Sequence, residues 1–179
     1  AFHMRKTNEL ISMQIFPNIF LKPDKLYSDF LDTERMRAVA KDGILESPDY
    51  RVFTFRFILK YSVSNHSASS GSIERPQLVV RISDNGKEMI LLPDLRDVVK
   101  AVNKGEIKNT LYLRAGETKN MQDDFYFHFF CKKDDPEFVR NAASLQYAIL
   151  YKNVVGNQIK IPLTGDKLSP LQKYYEQRS

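Results

Sequence analysis

Setting aside His3, which sits in an Ala1-Phe2-His3-Met4 start that reads as a vector remnant, two histidines remain to carry imidazole chemistry, His66 and His128. His128 falls within Asp124–Lys132, DFYFHFFCK, opposite the Phe125, Phe127 and Phe129 side if that stretch is extended. A metal site or a Ser-His-Asp relay built on it needs carboxylates converging in space, so a structural or solvent-facing imidazole is the expectation. Cys131 continues the Phe125-Phe127-Phe129 alternation and is expected to be a small buried side chain rather than a nucleophile. As the single cysteine, it excludes an intramolecular disulfide and a cysteine-based zinc site. The acidic pairs Asp123-Asp124 and Asp134-Asp135 are expected at strand or helix ends, in turn and capping roles or as half of a calcium site. The glycine spacing of an EF-hand is missing, as are a P-loop, a dinucleotide fingerprint, HExxH and a nucleophile elbow. No catalytic residue, metal or cofactor is therefore expected, and an enzyme built around His128 is the alternative.

Binding chemistry has one candidate. Arg56, Lys60, Tyr112, Arg114, Tyr126 and His128 place cations and aromatic rings on what could be one sheet face. Single-strand nucleic-acid binders combine such stacking platforms with positive grooves. Exposed sheet faces also carry Tyr, Arg and Lys because these pack their stems and stay soluble, and that is the preferred expectation. Asn65-His66-Ser67 is a glycosylation-type triplet, relevant only on a eukaryotic secretory route.

The element that must position these groups is Tyr50 to Asn65, YRVFTFRFILKYSVSN. Phe53, Phe55, Phe57, Leu59, Tyr61 and Val63 alternate with Val52, Thr54, Arg56, Ile58, Lys60 and Ser62, which predicts a long strand with an apolar stripe on one side. Burying six such side chains is worth about 9–18 kcal/mol gross. Before it, Asn8 to Pro23 reads as short extended pieces, with Pro17 and Pro23 favouring a sheet edge, and Lys25 to Lys41 as mostly helical. After it, Ser64 to Ser72 reads as a flexible polar loop.

Asn85-Gly86 predicts a type I′ hairpin pairing Ile82 with Met89 and Val80 with Leu91. Asp94 to Lys104 switches to helical spacing, with Asp94 as N-cap and Gly105 as the stop. Leu111 and Leu113 point inward in the next strand, Tyr112 and Arg114 outward, and Ala115-Gly116-Glu117 turns. The aromatic strand of Asp124–Lys132 follows, then a short helix from Asp134 to about Ala143. Strands through Leu145–Tyr151 and Ile159–Leu163 come next, joined by a turn at 153–157. Ser169-Pro170-Leu171-Gln172 has capping-box spacing and opens a short polar tail helix that frays.

With 179 residues the chain is long enough for one domain with a proper core. The +5 charge, spread without a basic block, reads as ordinary solubilising charge. No window approaches the 18 or so apolar residues of a membrane-spanning helix. About eight strands with polar turns predict an all-β fold, a β-sandwich, with a closed or half-open barrel as the alternative. We divide it into an N-terminal extension (1–49), a β-sandwich core (50–163) and a tail helix (164–179).

The run of residues from Phe53 onward resembles the immunoglobulin- or fibronectin-like β-sandwich domains that follow a membrane anchor in bacterial envelope proteins. The residues that carry it are Ser64-Asn65 closing the alternating strand, Arg75-Pro76-Gln77-Leu78 leading toward Asp84-Asn85-Gly86, Leu113 to Glu117, and Tyr147 to Tyr151. The inserted helix at Asp94 to Lys104 departs from the simplest pattern, and the Cys…Trp…Cys core of antibody domains is absent. The resemblance implies a non-enzymatic interaction or scaffolding domain with protein partners, on the extracytoplasmic side of a membrane-associated or secretion-type assembly. Edge strands or the tail helix would be its docking surfaces.

Overall fold

Alternation decides the central element. Phe55, Phe57, Leu59, Tyr61 and Val63 are all buried on one side of the strand, while Arg56, Lys60 and Ser62 on the other are only half-buried. The computed structural model describes residues 18–31, 50–82, 88–95, 109–132 and 145–179. In chain order these form β1 (Ile19–Leu31), β2 (Tyr50–Asn65), β3 (Gly71–Glu74), β4 (Gln77–Ile82), β5 (Glu88–Leu91), β6 (Thr110–Leu113) and β7 (Thr118–Lys132). They continue with β8 (Leu145–Lys152), β9 (Gln158–Leu163), a 3-10 turn (Gly165–Lys167), β10 (Leu168–Pro170) and one helix, α1 (Leu171–Arg178). Among the described residues the chain is mostly strand, as the all-β expectation holds.

Three sheets result: β10-β1-β2-β7, β5-β4-β8-β9, and the two-stranded β3-β6. β2 is the axis of the first, antiparallel to β1 from Ile19↔Asn65 to Leu31↔Thr54 and to β7 from Thr118↔Ser64 to Lys132↔Tyr50. One continuous core draws on all three: Phe57, Leu59 and Phe125 from the first, Leu78, Val80 and Ile149 from the second, Ile73, Leu111 and Leu113 from the third. The Phe57 and Tyr147 rings meet edge-on, 5.6 Å apart, and join the two large sheets.

The residues before position 50 contribute β1, whose Ile19, Leu21 and Leu26 lie in that core. Lys25 to Leu31 is therefore strand, not helix. Leu26 and Tyr27 point to opposite faces and both are buried, because the core covers one face and α1 the other. A strand covered on both sides loses its polar alternation and so mimics a helix in sequence. Pro23 pairs with Tyr61 just before a register shift between Pro23 and Lys25, and β10 reaches only Leu26 to Ser28. The proline thus sits where β1 has no second neighbour among the described residues.

The β4–β5 hairpin pairs Val80 with Met89 and Leu78 with Leu91, two residues from the predicted register. An even shift keeps every side chain on its face, which is why the pattern could not detect it. The N-cap of the tail helix is Pro170, not Ser169, and there is no side-chain cap: Ser169 Oγ accepts from Lys25 Nζ at 3.4 Å, and Gln172 bonds Glu176. The predicted helices at 32–41, 96–104 and 134–143 lie outside the described residues, as do the turn at 85–86 and the Asp134-Asp135 pair.

Candidate interaction surfaces

On the outer face of the first sheet, three rows matter: Asp29–Arg56–Tyr126, Tyr27–Ile58–Asp124 and, further along, Lys22–Ser62–Asn120. α1 lies on the middle row. Leu171 and Tyr174 form a small buried cluster with Tyr27 and Ile58, and the Tyr27 and Tyr174 rings are 5.3 Å apart. The polar side chains around this seat bind the helix: Arg56 Nη1 donates to Tyr175 Oη at 2.6 Å, Tyr27 to Gln177 at 3.0 Å, and Tyr174 to Gln122 at 3.0 Å. The Lys60 ammonium lies 5.3 Å from the Tyr174 ring centre and 5.9 Å from that of Tyr27. Such cation–π contacts are worth about 0.5–2 kcal/mol each. The tail helix is thereby held at both its apolar and its polar contacts, contrary to the expectation of a fraying end.

Of the six residues singled out in sequence, the structure brings Arg56, Lys60 and Tyr126 together, with Arg56 5.7 Å from the Tyr126 ring centre and 3.4 Å from Asp124. Tyr112 and Arg114 belong to β6 and the turn after it, in a different sheet. There the Tyr112 carbonyl accepts from Lys119 Nζ at 2.5 Å, and the Arg114 amide donates to Glu117 Oε2 at 2.7 Å. Gly116 supplies the positive φ (+71°) which that turn requires. His128 is opposite Thr54 in the register, but its side chain and that of Cys131 lie outside the described part of the structure. Arg56 and Lys60 are thus already occupied by the chain's own aromatic rings and helix.

Sequence reasoning missed the buried polar group between the sheets. Asp123 is in mid-strand, not at a strand end, and points into the core. Its Oδ2 accepts from the Tyr61 hydroxyl at 2.6 Å, and its Oδ1 accepts from Arg75 Nη1. Arg75 stands where the chain leaves the small sheet at β3 for the second large sheet at β4. Burial pushes the Asp123 carboxyl above its ordinary range, opposed by the Tyr61 hydrogen bond and the Arg75 charge. Burial also pushes the Tyr61 phenol far up, with Asp123 adding to the effect. The arrangement ties β2 and β7 to the β3–β4 connection through buried hydrogen bonds. The readable signal was an Asp at an inward position of a strand that alternates correctly on either side of it.

Asn65 closes β2 as a second buried hub. Its Nδ2 donates to the carbonyls of Ser69, Arg114 and Leu113 (2.9, 3.1 and 3.4 Å), and its Oδ1 accepts from Ser67 N–H and Oγ. The nitrogen a glycan would take is therefore buried in the folded chain, and Ser64 to Ser72 is organised around it rather than a loose loop.

Among the described residues, two open regions bear on binding. Beside α1, a groove of about 460 Å³ runs over Lys22, Asp24, Lys60, Ser62, Asn120 and Gln122. On the edge of the second sheet, Ile90 (57% exposed) and, two residues on, Leu92 (65%) present large apolar side chains to solvent. Across that sheet's outer face Lys160 Nζ and Glu88 Oε1 meet at 2.6 Å, and Val79 and Ala148 on the same face are buried. Among the described residues no group of three His, Cys, Asp or Glu side chains could hold a metal ion. No helix there is long and apolar enough to cross a membrane.

No family model matches the chain, and no curated protein does. Similar solved structures include a Bordetella pertussis protein named ApaA, at 10% identity over 83% of this chain and 89% of that one, with a TM-score of 0.26. Another is the β-glucosidase EmGH1 of Erythrobacter marinus (13% identity, 83% and 16% coverage, TM-score 0.29). A third is a conserved hypothetical protein of Bacillus anthracis (12%, 78% and 97%, TM-score 0.27). Likenesses this faint assign neither a fold family nor an activity to this chain.

Proposed function

We propose that the protein is a non-enzymatic interaction domain, an immunoglobulin- or fibronectin-like sandwich that docks a protein partner along the exposed β5 edge of its second sheet. The observation that carries this is the pair Ile90 and Leu92, each more than half exposed and two residues apart at a sheet edge. An edge strand offers main-chain hydrogen bonds to an added strand, and outward apolar side chains add burial to that pairing. Two other edge strands, β9 and β7, are guarded. β9 carries Lys160 and Pro162, the usual deterrents to edge pairing, and Asp94 N–H bonds the Asp124 carbonyl of β7 at 2.7 Å.

The layering supports the finer fold reading. Two four-stranded sheets, β10-β1-β2-β7 and β5-β4-β8-β9, share one core, as the layers of a sandwich do. The extracytoplasmic, membrane-associated setting follows from that resemblance and rests on fold-level analogy. The engagement of Arg56 and Lys60 within the fold argues against the nucleic-acid alternative.

The test is site-specific photo-crosslinking in the native cell. A photoreactive residue at position 90 is expected to yield a discrete protein adduct, and one at Val155, an isolated exposed apolar position in the β8–β9 turn, is not. Equal yields from both positions, or none from position 90, would overturn the proposal.

A further inference from the structure

We propose that a buried water molecule bridges Arg75 Nε and Asn109 Oδ1 as a fixed part of the fold, completing the polar group around Asp123. The site is in the interior, so the inference does not depend on the protein-docking edge. Both atoms are sealed from solvent, and among the described residues neither has a hydrogen-bond partner. Sealed orphans of this kind are rare in folded proteins, because each loses its bond to solvent on folding and gains nothing in return.

The strand register places the two side chains together. β3 and β6 run antiparallel, with Ile73 opposite Leu111 and Glu74 opposite Thr110. One step further the Arg75 N–H donates to the Asn109 carbonyl at 2.8 Å, so the pairing continues and the two residues are direct cross-strand neighbours. Such neighbours project from the same face, with Cβ atoms about 4.5–5.5 Å apart. That face is the inner one, since Ile73 and Leu111, two residues away on each strand, are in the core. The Arg75 side chain is only 9% exposed, and its Nη1 is held by the Asp123 carboxylate, whose other oxygen accepts from Tyr61.

The two orphans select their occupant. Arg75 Nε–H can only donate and Asn109 Oδ1 can only accept. Whatever joins them must therefore accept from the first and donate to the second. Chloride or a carboxylate cannot donate, and a metal ion or an ammonium group cannot accept; water does both from one atom. Buried waters make two to four such bonds and need only about 10–15 Å³ of probe-occupied space. A bulkier hydroxyl compound has no way in, because both atoms are sealed.

The bridge extends the hydrogen-bonded run from Tyr61 on β2, through Asp123 on β7 and Arg75 at the β3–β4 connection, to Asn109 at the start of β6. Held at Nη1 and at Nε, the guanidinium keeps the plane in which it meets Asp123. Asn109 is thus a positioning residue for Arg75, acting through the water.

A crystal structure of the full chain that places ordered water, paired with NMR of the Arg75 Nε–H group, tests this. The expected result is one water about 2.7–3.2 Å from both Nε and Oδ1, and a cross-peak between the Nε–H and a long-lived water. Asn109→Leu, which has similar volume but no acceptor, is expected to lose both. A direct Nε–H to Oδ1 bond, an empty site, or the lack of a long-lived water cross-peak in the wild-type protein would each overturn the proposal. Survival of the water and its cross-peak in Asn109→Leu would do so too. Should that variant fail to fold, the wild-type measurements decide alone.

Discussion

Asp123 divides its two oxygens between Tyr61 and Arg75 in a space that water does not reach. Removing one partner of a buried ion pair leaves the other charge uncompensated, at about 3–5 kcal/mol. Asp123→Asn is expected to lower stability in urea unfolding by no more than that order. The pH dependence has a definite sign. Burial raises the folded-state pKa of Asp123, so the folded chain holds this proton more tightly than the unfolded chain. The contribution is full below the ordinary carboxylate pKa and is lost as pH rises through the raised one. The cost of Asp123→Asn is therefore expected to be largest in acid and to shrink across that window, while a flat or rising difference would contradict the assignment. At Asn65, replacement by alanine strands buried carbonyls and Ser67 donors. It is expected to cost about 1–3 kcal/mol, read as a lower Tm.

Strands with one solvated face were legible in the sequence, and those covered on both faces were not. β2 and β6 alternate cleanly because water touches one side of much of each, and their inward residues are the ones the spacing names. β1 was misread because Tyr27, under α1, is as buried as Leu26 on the core side. Nothing local in 25–31 encodes a helix packing on it from 140 residues further along. The same holds for the candidate surface. Composition identified Arg56, Lys60 and Tyr126 as an aromatic and cationic set, but only the register of β2 with β7 unites them, and only α1 shows what they hold. Tyr112 and Arg114 fit that composition equally well and lie in another sheet. Because α1 is eight residues long, it is too short to persist without tertiary packing. Leu171→Ala is expected to cost about 2–5 kcal/mol in global stability and to release protection of the α1 amides in hydrogen exchange. Loss of α1 protection with no change in global unfolding would show that the helix is an independent appendage.

In the whole molecule, a shared core fixes three sheets while the two large outer faces serve different ends. One seats the C-terminal helix and leaves a polar groove beside it; the other ends in an apolar edge at Ile90 and Leu92. Stability and recognition should then be separable by mutation, since Ile90 and Leu92 face solvent while the Asp123 group is buried. The most direct test is the yield of photo-crosslinked adduct from position 90 in two backgrounds, corrected for the folded fraction. Leu92→Lys is expected to leave unfolding unchanged and abolish the adduct, while Asp123→Asn weakens the fold and leaves the yield per folded molecule intact. A normal yield with Lys at position 92, or its loss in folded Asp123→Asn protein, would contradict the account.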